Sequence, residues 1–196
     1  MTDITTLRPG EHFMFKNFEW VCLDPNHPDG GVLAIMAKPW AKEVKFCPDE
    51  RHADEKGNWN NYRTSFLHKE LLGLVKVIGA DNLILHMVDL VADNGDEAYN
   101  AIIVIDDVFI LTCDEYRKYR DYIPHYNVPV WTATPWYCGD KDSDADYACY
   151  IRYVNTEGQL GYGYADGSCS VAPACILNPD ALNLRQSMAF VEGVSE

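Results

Sequence analysis

Apolar residues Phe66, Leu67, Leu71, Leu72, Val75 and Ile78 recur at three- and four-residue intervals. That spacing predicts a helix with one apolar side, opening at Ser65 and stopped by Gly79. Upstream, His12 to Leu23 and Val32 to Ala37 are rich in aromatic and β-branched residues around the turn-forming stretch DPNHPDGG, which predicts an opening β-hairpin. The polar run from Trp40 to Asn61, broken by Pro48 and Gly57, predicts a long loop. Asn82 to Val91 and Ile102 to Leu111 predict two buried strands joined by the exposed loop ADNGDEAYN. Thr112 stands three residues before Glu115, the spacing of a reciprocal capping box, so a second short helix is expected over Cys113 to Tyr122.

Beyond Pro124 and Pro129 the pattern changes. Trp131 to Leu177 reads WTATPWYCGDKDSDADYACYIRYVNTEGQLGYGYADGSCSVAPACIL, with Tyr, Asp, Gly, Ser and Asn between short apolar anchors. Strand-length pieces are expected at Tyr147 to Val154, Gln159 to Tyr164 and Ala174 to Leu177. Tyrosine gives large, stiff, amphipathic contact area, and Ser, Gly and Asn give adaptable hydrogen bonding, the chemistry of recognition loops. Alternation along each strand turns about half of the aromatic residues inward. The outward half, with Trp136, would suit a glycan ring or a protein hot spot. Strands, two separated helices and a loop-rich C-terminal half indicate an α+β class with antiparallel strands in a single domain over residues 1–196.

A hydrophobic share of 47% is that of a chain able to bury a core. The formal charge of −14 sets a mean field that repels phosphate, so direct binding of nucleic acid or of an anionic membrane through a basic patch is not expected. Seven cysteines form an odd set without a C-x-x-C pair, and MTDITTLRPGEHF has no apolar run of signal-peptide type. Buried thiols in a chain made in a reducing cytoplasm are therefore expected. A Cys138–Cys149 disulfide is the alternative, and it would require an oxidising destination. No stretch reaches the apolar length of a membrane span.

Asp140, Asp142, Asp144 and Asp146 alternate strictly. They read as a solvated acidic loop, with calcium as the alternative cofactor. Against an EF-hand, Ala145 takes the glycine position and Ile151 that of the terminal glutamate. The six histidines show neither H-E-x-x-H nor another compact ligand spacing. GQLGYG lacks the Lys-Ser or Lys-Thr of a phosphate loop, and Cys169 or Cys175 with His125 reads as structural rather than nucleophilic. No catalytic residue is assigned. The candidate ligand-binding set is Trp136, Tyr137, Asp142, Asp144, Tyr147, Tyr150, Tyr162, Tyr164, Asp166 and Ser168.

Taken in order, GEHFMFKNFEWVCL from Gly10, NYRTSFLHKELL from Asn61, DDVFILTCDEYRKY from Asp106, WTATPW, IRYVNTEGQLGYGYADG and VAPACIL form a set of landmarks. The set resembles an uncharacterised family of bacterial and phage domains, domain-of-unknown-function family six-two-seven-three, similar in plan to C-type-lectin-like and formylglycine-generating-enzyme-like folds. The resemblance spans residues 10–177, leaving 178–196 as a tail or docking arm. Two arginines usual in that family are replaced here by Ala133 and Ala172, and Arg152 would take over if their role is to brace the long loops. The resemblance implies a C-type-lectin-like scaffold and a non-enzymatic, phage-encoded binding module. Its Tyr/Asp/Gly-rich loops would recognise a host-surface glycan or protein, in association with the virion. Three alternatives stand beside it. In one, an acidic inhibitor uses Asp140 to Asp146, Asp93, Asp96 and Glu97 to imitate phosphates towards a nucleic-acid-binding protein. In another, the chain is a homo-oligomeric virion decoration or fibre-tip subunit. In the third it is an enzyme of the formylglycine-generating type built on Cys169.

Overall fold

The computed structural model describes residues 4–95, 103–138 and 149–180. Its first elements are strands β1 (His12–Phe15), β2 (Phe18–Asp24) and β3 (Val32–Met36), which form an antiparallel meander. The stretch expected as one strand is thus itself a hairpin. Lys16 and Asn17 occupy the left-handed region at φ 53° and 65°, the conformation that a two-residue turn needs when its twist matches the flanking strands. Strand β4 (Ala41–Lys45) lies inside the expected loop, as an edge strand paired with β12 (Ser168–Val171). With no fully buried residue, β4 has the composition of a loop, which concealed it.

Helix α1 (Phe66–Ile78) starts and stops where expected: Ser65 Oγ accepts from the His68 N–H, and Gly79 at φ 87° closes the end. Its buried side carries Leu67, Leu71, Leu74 and Ile78, while Leu72 is exposed. Strands β5 (Leu83–Ile84), β6 (His86–Asp89), β7 (Ile103–Asp106) and β8 (Val108–Phe109) follow, and β6 and β7 pair only with each other among the described residues. The expectation of two buried strands is corrected: Met87, Ile103 and Ile105 are exposed, and among the described residues β6 and β7 pair with no other strand. Helix α2 (Cys113–Tyr119) carries the complete capping box of Thr112 and Glu115 and ends a few residues before the expected Tyr122.

Strands β9 (Val130–Pro135), β10 (Tyr150–Val154), β11 (Leu160–Tyr164) and β13 (Ala174–Leu177) complete the chain of elements. The expected start of β10 at Tyr147 lies outside the described residues. Neither β9 nor β12 was anticipated. β9 is buried along its whole length, so its sequence lacks the alternation that marks a half-buried strand. It also pairs in parallel with β12 (Ser170 against Val130), so the sheet is mixed rather than purely antiparallel.

Among the described residues the molecule is an α+β domain, mostly strands with the two α-helices α1 and α2. One sheet runs β1-β2-β3-β13-β5 with β8 also on β13, and the other runs β11-β10-β9-β12-β4. Two of the passages between them, after β3 and after β12, are tied together where Met36 N–H donates to Pro173 O (2.9 Å) and Trp40 N–H to Val171 O (2.8 Å). Strands β3 and β13 are wholly buried and anchor the core.

Gly31 abuts this anchor. An added Cβ would sit 2.7 Å from Ile176 Cγ2 and 2.8 Å from Ile84 Cδ1, and would press on the Leu177 carbonyl. Gly31→Ala should therefore lower stability by about 1–3 kcal/mol. In contrast, Gly73 lies in α1 with nothing within 4 Å of an added Cβ, and Gly73→Ala should raise stability by about 0.5–1 kcal/mol. Denaturant midpoints at unchanged m-value check both.

Candidate functional site: an aromatic platform and a histidine cluster

The sequence Gly161-Tyr162-Gly163-Tyr164 places two glycines on one face of β11 and two tyrosines on the other. On the glycine face the Tyr153 ring lies across both positions. A Cβ at Gly161 would fall 2.8 Å from Tyr153 Cζ, and one at Gly163 3.3 Å from Cε1. Tyr153 in turn packs edge-on against buried Trp131. The opposite face carries a cluster of rings. Trp136 stacks on Tyr162 with centroids 4.6 Å apart, and Tyr150 meets Tyr162 at 5.6 Å and Tyr164 at 4.6 Å. Tyr162 and Tyr164 remain 52% and 56% exposed, while Trp136 and Tyr150 are half-buried beneath them. The hydrogen bond with Tyr164 pushes the Tyr150 phenol up to about 12, so it stays neutral at physiological pH.

Two devices fix this platform from behind. The Arg152 guanidinium lies 4.0 Å from the centre of the Trp136 ring and pairs with Asp93 through Nε (3.0 Å) and Nη2. Asp93 also binds Arg117 (2.7 Å), which reaches Asp114 in the first turn of α2 (2.6 Å). Burial opposes ionisation of Asp93, but the hydrogen bonds from Arg117 and Arg152 prevail and hold its carboxyl below the usual aspartate value. The second device is Asn60, buried, whose Nδ2 donates to Tyr137 O and Tyr150 O at 2.8 Å each. It clamps the segment after β9 to the start of β10.

The structure therefore gathers Trp136, Tyr150, Tyr162 and Tyr164 into one surface. Tyr137 is half-buried beside it, Asp166 is exposed in the turn between β11 and β12, and Ser168 is exposed at the start of β12. Asp140, Asp142, Asp144, Asp146 and Tyr147, with Asp96 and Glu97, lie outside the described residues. Asp93 is not a displayed carboxylate, as phosphate imitation would require, because two guanidinium groups engage it. Burial pushes the Cys169 thiol up to about 12 and Cys47 to about 11, which withdraws the thiolate that nucleophilic chemistry uses.

A second constellation escaped sequence reading. His86 on β6 is buried against Phe109 at 4.3 Å, and both of its ring nitrogens face carboxylates: Nδ1 lies 2.7 Å from Asp29 Oδ2 and Nε2 2.8 Å from Glu115 Oε1. Carboxylates only accept, so both nitrogens carry protons and the ring is cationic. Burial works against that charge, yet Glu115 and Asp29 raise the pKa of His86 above the ordinary histidine value. His27 packs edge-on against His86 at 5.4 Å, and burial lowers its pKa instead. A cleft of ≈ 480 Å³ opens beside them, lined by His27, His86, Asp89, Asp93, Lys118 and Tyr119 among others. In the sequence, His27 and Asp29 read as parts of a turn, and His86 is far along the chain. The only local clue was Glu115, whose Oε2 is occupied by the capping box while Oε1 remains for His86.

Compared with known proteins, the chain matches no family model, no curated protein and no solved structure. No helix among the described residues is long and apolar enough to cross a membrane.

Asp93→Asn should cost about 3 kcal/mol, the lower end of the range for a broken buried pair, since Arg117 is half exposed. A carboxylate whose folded pKa is depressed stabilises the fold above its ordinary value of 3.8, and loses that contribution as pH falls through the folded value. The stability gap between wild type and Asp93→Asn should be full near neutral pH and close in acid. Urea unfolding of both proteins from pH 7 down to about pH 3 checks this.

Proposed function

We propose that the chain is a non-enzymatic binding module that seats its ligand on the platform of Trp136, Tyr150, Tyr162 and Tyr164. The observation that carries this reading is the side-by-side display of Tyr162 and Tyr164, each more than half exposed, on rings already stacked beneath them. Large aromatic residues ordinarily gain about 1.5–3 kcal/mol from full burial. Their presentation on a braced strand pair fits a surface kept for a partner. Because Arg152 and Asn60 hold the platform in place, little ordering entropy is left for the ligand to offset.

A glycan is the ligand class we favour. Exposed aromatic rings accept the apolar face of a sugar, while the Tyr150, Tyr162 and Tyr164 hydroxyls, Asp166 and Ser168 supply hydrogen-bonding groups at the margin. In this reading the two sheets and two helices serve as a C-type-lectin-like scaffold, and the ligand is a polysaccharide of a bacterial host surface met by a phage-encoded protein. Recognition by stacking depends little on ionic strength. The rival reading, an acidic inhibitor of a nucleic-acid-binding protein, requires steep salt dependence.

The test is titration calorimetry with host-surface polysaccharide at low and high salt. Tyr162→Ala with Tyr164→Ala should weaken binding by roughly 30-fold or more, the scale of a lost hot spot. Asp142→Ala with Asp144→Ala should leave it nearly unchanged. Undiminished affinity in the double tyrosine variant would overturn the proposal, and steep loss of affinity with salt would favour the rival.

A further inference from the structure

The turn before β3 is built to hold two side chains in place. His27 N–H donates to Gly31 O (2.9 Å) and Gly30 N–H donates to His27 O (2.8 Å), with Pro28 and Asp29 at the turn's two central positions and Gly30 at φ 100°. His27 and Asp29 thus project from a closed turn, Asp29 towards His86 and His27 onto its ring. One donor atom from each of His27, Asp29 and His86 lies within 4.8 Å of the other two. Asp29 Oδ2 is already 3.5 Å from His27 Nδ1 and 2.7 Å from His86 Nδ1. A tetrahedral ion with bonds of about 2.0–2.1 Å needs donors about 3.4 Å apart, so small side-chain adjustments close the set.

From this geometry we infer that His27, Asp29 and His86 form a binding site for a divalent transition metal of the zinc class. The contacts of His86 fit that use, and His27 Nδ1 has only a long bond from the Asp29 N–H (3.4 Å) to exchange for the ion. With Nδ1 on the metal, His86 donates its Nε2–H to Glu115 Oε1, the carboxylate–histidine–metal arrangement that fixes ring orientation and raises donor strength. Glu115 is itself immobilised, its Oε2 accepting from Thr112 N–H (2.8 Å) and Thr112 Oγ1 (2.9 Å) at the start of α2. Charge balance agrees. Asp29 and Glu115 supply two negative charges against one positive charge on the His86 ring, a sum of −1. A dication replacing the shared proton brings it to zero. Two imidazoles with one carboxylate suit zinc, cobalt or nickel rather than calcium or magnesium, which prefer all-oxygen shells. Three protein ligands leave a coordination position for water or a small anion, and His27 borders two surface cavities from which it could enter.

This site is independent of the aromatic platform, so its test stands whether or not that surface binds a glycan. The full chain, stripped with a chelator, is titrated with Zn(II) by calorimetry and with Co(II) by visible absorption, and its melting temperature is followed with and without Zn(II). One equivalent of each metal should bind, with the d–d bands of four- or five-coordinate cobalt, and Zn(II) should raise the melting temperature. Glu115→Gln should weaken Zn(II) binding by roughly 10–100-fold, the usual effect of losing a carboxylate behind a ligand histidine. His27→Asn, which leaves the His86 ion pairs in place, should abolish both the stoichiometric binding and the thermal shift while the chain stays folded by circular dichroism. Absence of stoichiometric binding to the wild-type chain would overturn the inference, and so would binding that persists unchanged in folded His27→Asn.

Discussion

The guanidinium of Arg152 is the constraint on which the aromatic surface depends. It sits beneath the Trp136 ring, bonded to Asp93, and is mostly withdrawn from water. A buried cation of this kind is tolerable only if it is paired, and breaking the pair costs far more than its net contribution to folding. Asp93 must therefore stay where it is, held also by Arg117 and by its own N–H bond to Pro135 O at 3.0 Å. From that fixed point the position of Trp136 follows, then Tyr162 stacked on it, then Tyr150 and Tyr164. Through this pair Arg152 ties the second sheet to the segment after β6.

The same network reaches the histidine cluster. Asp114 and Glu115 are neighbours in the first turn of α2, one binding Arg117 and the other His86. Acidic residues there also complement the positive end of the helix. A seven-residue helix thus orients two constellations that share no residue, and the capping box that starts it is one of their common supports. In energetic terms, the local signal that defines the helix start also sets long-range geometry.

Much of the frame was legible from local chemistry. Ser65 and Gly79 bound α1, Thr112 and Glu115 start α2, and the apolar run ending at Leu177 is the strand β13, because caps and short apolar runs act through near neighbours. The Gly-Tyr alternation of β11 sets two unlike faces, but nothing in it indicates that Tyr153 covers the glycines. What escaped was set by tertiary burial. β9 is covered on both faces and shows no alternation, whereas β4 and the β6–β7 pair are so open that polar or exposed apolar residues blur their pattern. His27 and His86 meet only because the turn before β3 and strand β6 are packed together, a relation with no signature in spacing along the chain.

The central claim is that one face of β10 and β11, with Trp136, is the contact surface. Its most direct measurement is two-dimensional NMR of the isotopically labelled chain during titration with the host-surface polysaccharide. The Trp136 indole N–H and the ring signals of Tyr150, Tyr162 and Tyr164 should shift together and saturate with the binding curve. Saturable binding that moves resonances elsewhere while those four side chains stay unperturbed would contradict it.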